Sequence, residues 1–184
     1  WEKYQHKKTK EYSYDYYMLY PFSSYELEEL IAEYNAQEKA INDKIDNFRN
    51  ILDEIENVDV MLENINEMKS MIKEYGEEDA SKYNKLKNNI SLYENIIANI
   101  YIDVLENANG KLVIQLKHDE KILKTKSLPQ LKGNCARDFT KKHNGTLIEI
   151  GFNTFDCYEQ DDNYVEIKLN IGKKRVVNKV LINL

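Results

Sequence analysis

The chain has 184 residues, enough for one ordinary domain or for an elongated segment with a small domain attached. Charged residues make up 32% and apolar residues 42%, with a formal net charge of −6, a balance typical of long exposed helices rather than of a small compact enzyme. No apolar run approaches the roughly 20 residues needed to span a bilayer, and no glycine-rich phosphate loop or spaced Cys/His set for zinc occurs.

Residues 1–22 form a Tyr-rich N-terminal arm. Its segment Glu11–Phe22 has tyrosines spaced for either a helix turn or an extended strand, and Pro21 ends both. Tyr16 and Tyr17 are candidates for partner binding or for anchoring the arm by packing. The chain begins at Trp1 rather than at methionine, so we expect an excised or processed piece. There is no signal-peptide pattern, and the expectation is an intracellular chain whose compartment is otherwise open.

"PFSSYELEEL" reads as a helix start, with Ser23 or Ser24 as N-cap, a glutamate three residues on, and Phe22 placed to staple onto Leu27. From there Leu27, Ile31, Tyr34, Ile41, Ile45, Phe48, Leu52 and Ile55 keep the alternating three- and four-residue step of a coiled-coil seam, broken once at Glu38. The series continues through Val58, Leu62, Ile65, Met68, Ile72 and Tyr75. The spacing slips after Ile55, which marks local overwinding or a new packing partner. This predicts one helix of about 50 residues, about 75 Å long. Glu38 and Asp59, polar positions along it, read as register or partner selectors.

Gly76 suits a helix C-cap, and Asp79 or Ser81 the next N-cap. Tyr83, Leu86, Ile90, Tyr93, Ile97, Ile100 and Val104 then form a second seam. That helix either folds back as an antiparallel hairpin or continues outward after a kink. Residues 23–108 are thus expected to be an acidic helical hairpin or stalk, with eight Lys/Arg against twenty Asp/Glu across residues 22–108.

Residues 109–184 read as a small, mildly basic α+β head, with fourteen Lys/Arg against nine acids. Asn109-Gly110 and Asn144-Gly145 are turn signals. Strands are predicted near Lys111–Lys117 and Lys121–Lys126, joined by a turn at His118–Glu120, then across "TLIEIGF" and "YVEIKLNI". Pro129 stands near a possible helix start. The final segment fits a helix through Val176, Val180 and Leu184, or a strand through Val180, Ile182 and Leu184. Cys135 and Cys157 are too few for a disulfide framework and read as two reduced thiols unless the β region brings them together.

The predicted fold class is therefore α+β: long coiled-coil-like helices followed by a small C-terminal α+β domain. The predicted function is that of a scaffold or adaptor subunit, a homo- or hetero-oligomer joined through its helices. Its head binds protein partners, with Lys173, Lys174 and Arg175 as a candidate contact patch. An alternative comes from Asp156, Glu166 and Lys168, which follow the D…(D/E)-x-K order of one nuclease superfamily. There, carboxylates on adjacent strands hold a divalent cation and the lysine polarises water or stabilises phosphate. The acids Asp156, Glu159, Asp161 and Asp162 read as a solvated loop, lacking the glycine of an EF-hand calcium loop. No cofactor, metal or membrane is expected, and nucleic acid is disfavoured because no aromatic ladder accompanies the basic residues.

Overall fold

A computed structural model describes residues 2–5, 12–15, 23–75, 79–158 and 162–182. The chain divides into two compact units, Trp1–Ile41 and Asn42–Leu184. In the first, β1 (Glu2–Gln5) and β2 (Tyr12–Asp15) form an antiparallel pair running from Glu2↔Asp15 to Gln5↔Tyr12. Tyr16, Tyr17, Pro21 and Phe22 lie outside the described residues.

Helix α1 (Ser24–Asn50) starts in the first unit and ends in the second. Ser23 caps it reciprocally with Glu26. The Ser23 hydroxyl accepts from the Glu26 N–H at 3.2 Å, and the Glu26 carboxylate accepts from the Ser23 N–H at 2.9 Å. Hydrogen bonds to its carboxylate from the Ser23 N–H and the Ser23 hydroxyl hold the Glu26 carboxyl below its usual range.

The expected 50-residue helix does not form. The chain leaves the helix after Asn50, turns through residues 51–57, and re-enters as α2 (Val58–Tyr75). The cause is tertiary competition for backbone groups. Lys124 N–H donates to the Glu56 carbonyl at 2.7 Å, Val58 N–H to the Lys124 carbonyl at 2.9 Å, and Lys126 N–H to the Asp59 carboxylate at 2.7 Å. Asn57 Oδ1 accepts the Asp59 N–H at 2.9 Å, capping the new helix. Asp59, expected to select a coiled-coil register, instead ties α2 to the strand region. Helix α3 (Ala80–Ala98) begins at Asp79, whose carboxylate accepts from Ser81 N–H at 2.8 Å and Lys82 N–H at 3.0 Å. Gly76 lies outside the described residues.

In the second unit the heptad residues line a globular core rather than a coiled-coil stalk. Ile45, Phe48, Leu52, Ile55, Ile65, Leu86, Ile90, Tyr93, Ile97 and Ile100 are buried there, and Leu62 and Ile72 are half-buried. The helices interlock through polar groups as well. The Asn89 side-chain amide donates to the Ile45 carbonyl at 2.9 Å, and the Tyr93 hydroxyl to the Phe48 carbonyl at 2.7 Å. The Phe48 carbonyl lies in the last turn of α1, where intrahelical partners run out. A three-residue or four-residue apolar step is common to a coiled-coil seam and to a helix facing a core. Short helices broken by caps and turns take the second course.

The predicted second helix also ends early. Tyr101–Ala108 is strand β3, not the continuation of α3 through Val104. It is followed by β4 (Lys111–His118), β5 (Lys121–Leu123), β6 (Gln130–Gly133), β7 (Arg137–Asn144), β8 (Leu147–Asn153), β9 (Tyr164–Ile171) and β10 (Lys174–Leu181). The stretch after Pro129 is thus a strand and not a helix, and the ambiguous final segment is extended through Leu181. The body is three short helices followed by two antiparallel sheets, ordered β3-β4-β8-β7, with β5 on β4, and β10-β9-β6.

The turn chemistry is as read. Asn109 and Gly110 both take positive φ, of 52° and 71°, at the β3–β4 hairpin. β4, flanked by β3 and β8, is buried from Leu112 to Leu116. Its one polar member, Gln115, donates to the Asp103 carboxylate at 2.8 Å. β9 alternates, burying Val165, Ile167, Leu169 and Ile171. The two sheets are joined by side-chain amides: Asn178 donates to the Ile102 carbonyl at 3.1 Å, and Asn107 to the Leu181 carbonyl at 2.6 Å.

Cys135 and Cys157 are joined in a disulfide with Cα atoms 5.1 Å apart, correcting the expectation of two thiols. Antiparallel pairing of β7 with β8 returns the chain to its start, so residues 22 apart in sequence meet. No helix among the described residues is long and apolar enough to cross a membrane.

Candidate functional site

A cleft of about 760 Å³ lies between α2, the end of α3 and the β9–β10 turn. Its apolar lining comes from Leu62 and Ile65 on α2, Ile97 on α3 and Ile171 on β9. Positions 62, 65, 66 and 69 share one face of α2 by helical spacing, so this face presents Leu62, Ile65, Asn66 and Lys69 together. The β9–β10 turn closes one end. Gly172 has φ of +56°, a conformation that favours glycine, and a Cβ there would lie 2.8 Å from Leu62 Cδ2, so a larger residue would also displace the tip of the Leu62 side chain.

Charge collects at the rim. Lys69 pairs with Glu94 at 2.8 Å, linking α2 to α3. Lys174 turns inward, donating to the carbonyls of Ala98 and Ile100 at the end of α3, and its partial burial lowers the ammonium pKa. A cation at this end complements the helix dipole. Lys173 is exposed and joins no ion pair among the described residues. With Lys69 balanced by Glu94, the two adjacent lysines of the turn leave the rim positive. Of the expected patch, Lys173 and Lys174 therefore line the cleft, Lys174 as a structural tie. Arg175 is exposed on β10 and donates from Nε to Asn170 Oδ1 at 3.4 Å.

The nuclease-like residues stand apart from this cleft's lining. Glu166 and Lys168 share a face of β9 and pair at 2.6 Å, which holds the Glu166 carboxyl below its ordinary range. Across the sheet Glu166 is in register with Lys132 of β6 and Lys179 of β10, the pattern of cross-strand charge pairing. Asp156 is exposed in the turn after β8, a strand that pairs with β4 and β7 rather than with β9. The adjacent-strand placement expected for a two-carboxylate cation site is thus not the observed one. Among the described residues no group of three or more His, Cys, Asp or Glu is placed to hold a metal ion.

Two further exposed apolar features stand out. On the first part of α1, Leu27, Ile31 and Tyr34 are 49%, 51% and 62% exposed. After β8, Phe155 and Tyr158 are 92% and 71% exposed. Sequence reasoning missed Lys69, Asn66, Glu94, Phe155 and Tyr158. The helical spacing on α2 was a usable signal for Asn66 and Lys69. For Phe155 and Tyr158 the signal was two aromatic residues in a segment otherwise read as solvated.

Comparisons with protein-family models, with curated proteins and with solved structures found no match for this chain.

Proposed function

We propose that this chain is a non-catalytic binding module, a scaffold or adaptor subunit whose C-terminal body receives a protein partner in the cleft rimmed by Lys173. The observation that carries the reading is the cleft itself: an apolar floor of Leu62, Ile65, Ile97 and Ile171 under a lysine rim. Its volume falls within the range typical of ligand-binding clefts. A floor of this kind accepts one or two large apolar side chains. The unpaired Lys173 favours carboxylates beside them and disfavours basic sequences. The expected ligand is therefore a peptide segment of apolar anchors flanked by Asp or Glu.

Selection of random peptides on the immobilised full chain tests this directly. Enriched sequences should combine large apolar residues with acids, and fluorescence anisotropy should show weaker binding to Lys173→Glu. Peptides that bind the variant as well as they bind the parent, or a selection without enrichment, would refute the reading.

A further inference from the structure

The loop after β8 carries the features that the cleft calls for. Phe155 and Tyr158 are the two most exposed large apolar side chains among the described residues of the second unit. Exposed aromatics of this size are the residue types that act as interface anchors. The sequence around them is acidic: residues 155–162 contain Asp156, Glu159, Asp161 and Asp162 and no base.

Residues 154–158 of this loop are held in shape by their own bonds. Phe155 N–H donates to Asn153 Oδ1 at 2.8 Å, and Cys157 N–H to the Thr154 carbonyl at 2.9 Å. Asn163, itself buried, donates from its side-chain amide to the Tyr158 carbonyl at 2.7 Å. The Cys135–Cys157 disulfide pins the centre of the loop to the segment between β6 and β7. A pre-shaped loop loses little conformational freedom on docking, which is the condition for a short segment to bind with useful affinity.

We propose that the Phe155–Tyr158 loop of one copy docks into the Lys173-rimmed cleft of a second copy. This rests on the reading of the cleft as a protein-binding site and names its occupant. Two aromatic anchors meet the apolar floor of Leu62, Ile65, Ile97 and Ile171, while Asp156 lies against the unpaired Lys173. Each copy bears one loop and one cleft, so the contact either closes reciprocally in a two-fold dimer or runs head-to-tail into rings or chains.

Sedimentation velocity on the full chain over a range of concentrations, with paired variants, tests the proposal. The parent should associate with rising concentration. The loop variant Phe155→Asp/Tyr158→Asp should stay monomeric, as should the cleft variant Lys173→Glu/Ile171→Asp. Mixing the two should restore a one-to-one dimer and nothing larger, because one intact loop and one intact cleft remain. Ile171 is buried, so the single exposed change Lys173→Glu is run beside it. It should weaken association roughly tenfold, and Asp156→Lys in the partner copy should recover it.

A parent that stays monomeric to millimolar concentration, loop variants that associate like the parent, or a mixture that stays monomeric would each overturn the docking. If acidic peptides still bind the cleft in a Lys173-dependent way, only the self-docking falls. If they do not, the cleft reading falls with it.

Discussion

Replacing both cysteines by alanine provides the most direct check on how the second unit is held together. The bridge joins residues separated by 22 positions, a span that contains all of β7 and β8. In the chain-entropy account a loop of this length contributes roughly 3 kcal/mol by restricting the unfolded chain. The Cα separation of 5.1 Å lies inside the usual range for disulfides, so no backbone movement is needed to form it. With a urea m-value of about 2 kcal/mol/M for a domain of this size, the unfolding midpoint should fall by about 1.5 M. Urea titration followed by far-UV circular dichroism, for the parent with and without reductant and for the double variant, measures this. Reduced parent and variant should coincide, both well below the oxidised parent. Equal midpoints in all three samples would refute the reasoning. So would two titratable thiols in the unreduced, urea-unfolded parent. The same variant should also weaken self-association, since it releases the centre of the loop that carries Phe155 and Tyr158.

Four further outcomes follow from the packing and the charges. Ile45→Ala should cost about 2–5 kcal/mol in thermal or urea unfolding, whereas Leu27→Ala should cost less than about 0.5 kcal/mol, because only the former is buried; equal costs would restore the seam. Tyr93→Phe should cost about 1–3 kcal/mol by leaving the Phe48 carbonyl without its buried donor, again read by urea unfolding. Hydrogen bonds from Lys117 and Gln115 lower the Asp103 carboxyl below its usual range. Its stabilising contribution is therefore complete above the unfolded value near 3.9 and lost as pH falls through the folded value, so Asp103→Asn should flatten the acid limb of stability measured between about pH 5 and pH 2. Incubation with plasmid DNA and magnesium or manganese should give no cleavage; cleavage abolished by Asp156→Ala or Glu166→Ala without loss of fold would revive the nuclease alternative.

Local features were legible because their causes are local. Ser23 with Glu26 and Asp79 with the N–H groups that follow it are capping arrangements written within a few residues. Asn109-Gly110 needs only its own backbone freedom to turn. The alternation of Val165, Ile167, Leu169 and Ile171 follows from the two-residue period of a strand with one buried face. The candidate site was legible only in part. Lys173 and Lys174 stood out as charge in the sequence, but nothing there assigned Lys174 to the carbonyls of Ala98 and Ile100 at the end of α3 and left Lys173 without an ion pair among the described residues.

What the sequence by itself determined is where helix and strand periods occur and where turns and caps punctuate them. Tertiary structure alone decided how far each helix runs and what its apolar face meets. Val58, Glu56 and Asp59 give backbone or side-chain partners to Lys124 and Lys126, residues more than sixty positions away, and that exchange splits the anticipated long helix. The apolar steps through Ile45, Phe48 and Tyr93 suit either a second helix or a folded core equally. The choice went to the core because α2, α3 and two sheets were available within the same chain to bury them.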